Sequence, residues 1–338
     1  MQNVLLIGAG TMGSVHAHTY QHIQKANLIG IVDSSKEKAD KLAEETETKA
    51  FYSFEEAIQS LEDIHMIDIC LPTFLHKEYV LKAADLGVAV CCEKPLARTL
   101  KEAKEMIDYC NKKEVQLFVG HVVRFFPEYV QAKQKLEQGE IGKAAVVRTT
   151  RGGVFPTGWT DWYADFNKSG GLLLDLLIHD FDFLRWCFGE VERVFAKSLS
   201  SRSNDRNDYS LVTLRFKSGV IAHVEGTWAH EGFSSKFEFA GTSGIVDYDS
   251  SKIAPVKLVK RVQTQEASGV VVPESPLNET PFQRELSHFI DCIETGKQPI
   301  VTAEDGYKAM EIAFAAKQSV EAGKPVFLEL SNQSTKTI

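Results

Sequence analysis

A chain of 338 residues has room for about two domains, and 43% apolar with 25% charged residues is the balance of a folded protein, which excludes disorder as its main state. Its 46 acidic residues exceed its 38 basic ones, a formal charge of −8 with no Lys/Arg block, so nucleic acid is not an expected partner. No apolar run reaches the roughly 18 residues of a membrane-crossing helix, and the start MQNVLLIGAG lacks the charged n-region and cleavage site of a signal peptide, so no membrane partner and a cytoplasmic location are expected.

In chain order, the first 120 residues alternate short apolar runs with helical patterns. Val4–Ile7, Leu28–Val32, Met66–Leu71, Val88–Cys92 and Val115–Val119 are rich in β-branched residues and predict strands buried on both faces, as in a parallel sheet. Helices are predicted near 12–25, 36–46, 53–60, 76–87 and 99–113, two of them opening with capping boxes, Ser53…Glu56 and Thr99…Glu102. The alternation predicts a doubly wound α/β, Rossmann-type domain over residues 1–120.

The pattern then changes. A helix near 127–138 leads to a strand at Ala144–Thr150, an aromatic, glycine-rich loop from Arg151 to Gly171, and an apolar helix over 172–188. From 191 to 262 strand follows strand, with Val212, Leu214 and Phe216 alternating with Thr213 and Arg215, and a hairpin turn at Lys217-Ser218-Gly219. Helices near 281–295 and 303–322 precede a tail, Ser331–Ile338, expected to be loose. Residues 121–330 therefore predict an α+β domain with a large, mainly antiparallel open sheet. One wide face of that sheet needs cover, which predicts a homodimer or homotetramer.

Three patterns carry chemistry. Gly8-Ala9-Gly10-Thr11-Met12-Gly13 follows the first strand and opens the first helix, where a pyrophosphate can lie on helix N–H groups; Asp33, ending the second strand, stands where an acid accepts the adenosine ribose hydroxyls. That carboxylate would repel a 2′-phosphate, favouring NAD, while Ser34, Ser35 and Lys36 leave NADP possible. Glu93-Lys94-Pro95 ends the fifth strand, at the sheet edge where such folds bind ligands, and a lysine there can exchange a hydroxyl proton. Asp175 and His179, four apart in an otherwise leucine-rich helix, would share one face, the carboxylate orienting the imidazole. A zinc pair is the rival reading; no third ligand is evident nearby, Cys91 and Cys92 are adjacent rather than chelate-spaced, and no metal is expected. The six cysteines (Cys70, Cys91, Cys92, Cys110, Cys187, Cys292) show no CxxC spacing and predict no disulfide framework.

A glycine-rich turn with a downstream acid, then EKP, then a glycine-led segment with Asp175, His179 and Asp182 resembles the Gfo/Idh/MocA oxidoreductases over roughly 1–330, in the manner of inositol 2-dehydrogenases. Pro72-Thr73 with His76 resembles that family's fourth-strand motif, Arg124 its arginine at the domain crossover, and Trp162 an aromatic near the active-site mouth. The resemblance implies Lys94 as the catalytic lysine, His179 as the proton-transferring or substrate-orienting histidine and Asp175 as its partner. It further implies Pro72, Thr73, His76 and Glu93 beside Gly8, Gly10, Thr11, Met12, Gly13 and Asp33 at the cofactor, and Arg124 and Trp162 beside Lys94, Asp175 and His179 at the substrate. Leu172, Leu177 and Phe74 depart from the pattern. The implied activity is NAD-dependent hydride transfer to or from a secondary hydroxyl of a small-molecule sugar or cyclic polyol; a non-catalytic dinucleotide or sugar sensor on the same fold is the alternative.

Overall fold

The apolar runs of the first 120 residues pair as one parallel sheet in the computed structural model, which describes residues 1–199, 208–252 and 279–328. Strands β1 (Gln2–Ile7), β2 (Ala26–Val32), β3 (Ala50–Phe51), β4 (Met66–Ile69), β5 (Ala89–Glu93) and β6 (Leu117–Gly120) alternate with helices α1 (Thr11–Tyr20), α2 (Lys36–Glu45), α3 (Phe54–Ser60), α4 (His76–Asp85) and α5 (Leu100–Lys112). The sheet order is β3-β2-β1-β4-β5-β6, every pairing parallel. The order reverses between β1 and β4, so the carboxyl ends of β1, β4 and β5 open onto the crevice where doubly wound sheets take their ligands. β1, β4 and β5 consist almost wholly of fully buried residues, as the unbroken apolar runs require.

Both capping signals work, with one twist. Ser53 Oγ accepts from the Glu56 N–H (3.2 Å) and Thr99 Oγ1 from the Glu102 N–H (3.1 Å), but the Glu56 carboxylate reaches the amide of Tyr52 (3.0 Å), one residue before the cap. Helix α1 is shorter than expected. Past Tyr20 the chain turns through His22, Ile23 and Ala26, whose N–H groups each bond a carbonyl three residues back, and enters β2 directly.

The later elements are α6 (Pro127–Glu137), β7 (Ala144–Val154), α7 (Phe166–Ser169), α8 (Gly171–Asp175), α9 (Ile178–Phe188), β8 (Val191–Leu199), β9 (Tyr209–Phe216), β10 (Ile221–Thr227), β11 (Ala229–Gly241), β12 (Ile245–Asp249), α10 (Pro281–Thr295), α11 (Ala303–Ala322) and β13 (Val326–Phe327). Seven strands form a second sheet in the order β12-β11-β7-β10-β9-β8-β13, antiparallel except between β7 and β10. Its inward face carries Val147, Val212, Leu214, Phe216, Val224 and Phe239; its other face carries Arg148, paired with Glu238, together with Thr213 and His223. Gly219 (φ +93°) makes the expected β9–β10 turn, where the Phe216 N–H donates to the Val220 carbonyl. Strand β7 runs four residues beyond its expected end and takes Arg151, Gly152 and Gly153 out of the aromatic loop. The expected loose tail 331–338 and the final part of the strand-rich stretch to 262 lie outside the described residues.

One expectation needs correction. The helix expected over 172–188 is two helices: the amides of Leu176 and Leu177 both donate to the Leu172 carbonyl (3.1 and 3.0 Å), so the hydrogen-bond ladder slips by one residue between α8 and α9. The chain also gathers into two compact units. One compact unit joins residues 1–126 and 167–169 to 279–307, and the other holds 127–166, the described residues of 170–252, and 308–328. The reason lies in α10, whose Phe289 stacks on Phe118 of β6 (centroids 4.8 Å apart) and whose Leu286, Phe289 and Ile290 are fully buried in the first unit.

Candidate active site

The turn after β1 is built as a phosphate cradle. Gly8 adopts φ +104°, and a Cβ there would lie 2.4 Å from the Cys70 carbonyl oxygen; a Cβ on Gly13 would lie 1.8 Å from the Gly8 oxygen. At Gly10 a Cβ would meet nothing within 4 Å, so the space before the helix is open. No side chain caps α1, which leaves the amides at its start, around Thr11, Met12 and Gly13, aimed at that space. Asp33 braces the cradle from β2: Oδ2 accepts from the Ala9 N–H and Oδ1 from the Ser35 N–H, both at 2.8 Å. Lys36 extends its ammonium 4.7 Å above the Tyr52 ring. Open space, a helix start without a side-chain cap and a braced carboxylate together fit a dinucleotide.

Behind the cradle lies a buried polar network that sequence reasoning missed. His16 of α1 is fully buried; its Nδ1 lies 2.8 Å from Asp68 Oδ2 and its Nε2 3.3 Å from Glu93 Oε1. Tyr20 Oη donates to Asp68 Oδ2 (2.7 Å), and Cys70 Sγ lies 3.3 Å from His16 Nδ1. Burial alone would lower the imidazole pKa, but Asp68 and Cys70 override it and hold His16 well above the usual histidine range; the same carboxylate and burial push the Tyr20 hydroxyl and the Cys70 thiol up. His16, Asp68 and Cys70 are close enough to invite a metal ion. In the metal-free protein the group is held together by the charge of His16 against the Asp68 carboxylate. The sequence signal for this network was one aspartate inside the apolar strand MIDI, which burial obliges to find a partner.

Lys94 follows Glu93, half-buried, its N–H donating to Glu93 Oε2 (3.1 Å). His76, expected at the cofactor, is fully buried, with Nδ1 2.9 Å from the Pro95 carbonyl and Nε2 2.8 Å from the Leu71 carbonyl. Both ring nitrogens lie against backbone carbonyls, and burial lowers the ring's pKa, so the neutral ring donates to one of the two. His76 thereby ties the ends of β4 and β5. Pro72 and Thr73 stand in the same β4 exit, and the Lys168 ammonium lies 5.6 Å over the ring of Phe74. Arg124, expected at the substrate, is 3% exposed: it donates to the Ile300 carbonyl (2.8 Å) and lies 3.3 Å from Asp305. These partners give it a structural task, tying the turn after β6 to residues 300–305.

In the second unit Asp175 ends α8, buried, and His179 stands half-buried in the first turn of α9, one on each side of the slipped turn rather than on one continuous helix face. Leu177 sets that turn. A Cβ on Gly226 of β10 would lie 2.5 Å from Leu177 Cδ2, so the leucine side chain lies flat on a bare strand backbone. The residue after His179, Asp180, pairs with Arg151 of β7 (2.6 Å), which also donates to Tyr129 Oη (3.2 Å). Burial works against the charge, but Asp180 and Tyr129 both favour it and keep the guanidinium charged. Trp162, expected to face substrate, is 8% exposed and stacks on Tyr163 (4.0 Å), its indole pressed on Gly158; Trp159, 60% exposed, is the open aromatic of that loop.

Comparison with known proteins matches residues 2–121 to the family described as "Oxidoreductase family, NAD-binding Rossmann fold" and residues 133–328 to "Oxidoreductase family, C-terminal alpha/beta domain", the two halves of the Gfo/Idh/MocA pattern. A myo-inositol 2-dehydrogenase of Thermotoga maritima is 30% identical over 332 residues, covering 96% of this chain and 98% of its own. The scyllo-inositol 2-dehydrogenase (NAD(+)) of Bacillus subtilis is 30% identical, covering 98% and 97%. Among solved structures, the myo-inositol 2-dehydrogenase of Lactobacillus plantarum superposes with a TM-score of 0.78 at 26% identity, covering 96% of this chain and 99% of that one.

Proposed function

The chain belongs to the Gfo/Idh/MocA oxidoreductase family, with its NAD-binding Rossmann fold, and on that premise we propose that it oxidises a secondary hydroxyl of a cyclic polyol or sugar, or reduces the matching ketone, with NAD. The observation that carries this reading is Lys94, set at the carboxyl end of β5 beside the strand-order reversal and fixed there through its own amide. Gly8, Gly10, Thr11, Met12 and Gly13 hold the pyrophosphate and Asp33 the adenosine ribose, where a 2′-phosphate would meet its negative charge. The bound nicotinamide supplies the hydride acceptor or donor.

The protein's own part is the proton. In the oxidative direction Lys94 Nζ takes the hydroxyl proton, and in the reductive direction it returns it to the carbonyl oxygen. His179 orients the hydroxyl and shares that proton through its imidazole, with Asp175 setting the ring's direction. The inositol dehydrogenases among the relatives favour a ring bearing several secondary hydroxyls as substrate. The open polar face of the second sheet serves assembly into a homo-oligomer, which light scattering checks: a lone species near the 37.7 kDa of one chain would remove that part.

The test is cofactor reduction followed at 340 nm against a panel of inositols, aldoses and keto-sugars with NAD and with NADP. Turnover of at least one polyol is expected, with kcat/KM for NAD at least tenfold above NADP, a preference of about 1.4 kcal/mol. Asp33→Ala should narrow that gap. Dinucleotide binding without turnover of any panel member would favour a sensor instead.

A further inference from the structure

Two fully buried histidines stand on either side of Lys94, only one of them against its flanking backbone. On one side Glu93 Oε2 accepts from the Lys94 N–H at 3.1 Å, and His16 Nε2 lies 3.3 Å from Oε1 as a charge pair without a hydrogen bond. The neighbouring strand leaves space for the carboxylate at Gly120, where a Cβ would lie 3.0 Å from Oε1. On the other side the Pro95 carbonyl meets His76 Nδ1 at 2.9 Å, and His76 is anchored in turn on the Leu71 carbonyl at 2.8 Å. Every group that faces His16 comes from elsewhere in the unit: Asp68 and Cys70 from β4, Glu93 from β5, the Phe282 ring of α10 at 6.0 Å, and Tyr20 through Asp68. Those facing His76 include the Leu71 and Pro95 carbonyls, the backbone of Leu96 and, through its charge, Glu93.

We propose that His16 and His76 are positioning residues that hold Lys94 in its working direction, His16 through Glu93 and His76 through Pro95. The inference rests on the reading of Lys94 as proton carrier. Neither histidine has exposed surface, so neither touches substrate or cofactor directly. A buried imidazolium between two carboxylates contributes little net stability compared with apolar packing, which leaves fixed geometry as its yield. Misplacing a reacting group by about 1 Å can cost about 10²-fold in rate.

The test uses the full-length protein with His76→Leu, which removes both ring contacts, His76→Asn, which keeps an amide donor at the Nδ1 position, and His16→Gln. Kinetics are read alongside the NADH dissociation constant by fluorescence and the acetylation rate of Lys94 by peptide mass spectrometry in the cofactor-free protein. His76→Leu should lower kcat about 10- to 100-fold while KM and NADH affinity stay within about threefold, and its Lys94 acetylation rate should move at least threefold. His76→Asn should recover most of both. Equal kinetics and labelling in His76→Leu and wild type, or no recovery in His76→Asn, would overturn the His76 half, and a folded His16→Gln with wild-type kcat would overturn the His16 half. Lys94→Ala separates the two layers: if it turns over normally, the Lys94 reading fails, whereas a dead Lys94→Ala beside an unimpaired His76→Leu fails this inference alone.

Discussion

The exit of β5 and the α8–α9 junction each present a proposed proton-handling residue, and they hold it by different means. Around Lys94 the fastening is polar: Glu93 accepts from the Lys94 N–H, His76 meets the Pro95 carbonyl, and His16 lies against the Glu93 carboxylate. Beside His179 volume enters as well: Leu177 presses on a strand left bare at Gly226, where the helix ladder slips. A polar clamp responds to charge and pH; a packed one responds to methyl groups. The two regions should therefore fail under different insults.

The largest effect comes from deleting the groups so presented. Lys94→Ala and His179→Ala should each lower kcat by about 10²–10⁴ with little change in NADH affinity, since the residues of the glycine-rich turn and Asp33 are untouched. Steady-state kinetics with fluorescence titration checks this. Asp175→Asn should cost less than either, because it removes no proton carrier.

A methyl group sharpens the contrast next. Gly226→Ala puts a Cβ 2.5 Å from Leu177 Cδ2 in a fully buried position and should destabilise the protein by about 1–3 kcal/mol. Leu177→Ala in the same chain should recover part of that loss, a coupling that denaturant melts of the two single variants and the double variant measure. The same pair of changes should leave the Lys94 acetylation rate at its wild-type value.

The smallest effect belongs to the polar side and is read through pH. His16 keeps its proton in the folded state well above the usual histidine value, whereas the unfolded chain releases it near pH 6.5. The folded state then binds more protons above pH 6.5, so this contribution is complete below that pH and drains away as pH rises through the folded pKa, by about 1.4 kcal/mol per unit. Denaturation at pH 6.5, 7.5 and 8.5 should show that slope in the difference between wild type and His16→Gln. His76, lowered by burial, acts below pH 6.5 and in the opposite sense, so it does not mask the window. A flat difference would remove the charged clamp from the comparison.

What the amino-acid order disclosed follows the same divide. The parallel sheet, the glycine turn with Asp33 and the capping serine and threonine are local patterns, each legible within a few turns or strands of chain. The slipped turn was not, because LLLDLLIHD satisfies a helical period whether or not the ladder breaks, and the break depends on a glycine in a strand far along the chain. Nor was the His16–Glu93 link, whose ends meet only after three strands have been laid side by side. For Arg124, His76 and Trp162 motif resemblance points to the ligand, and the structure adds contacts the sequence does not show: backbone partners for the first two and a stacked ring for the third.

Helix α10 has a bearing on how the molecule is made. A ribosome releases residues 1–126 long before Phe289 exists to stack on Phe118, or Ile300 and Asp305 to receive Arg124. For most of synthesis the nucleotide-binding half thus carries an uncovered apolar patch and a guanidinium lacking those two partners, the condition in which nascent chains lean on chaperones. Its completion waits on nearly the last tenth of translation, so the second half, though later in sequence, has most of its sheet available first.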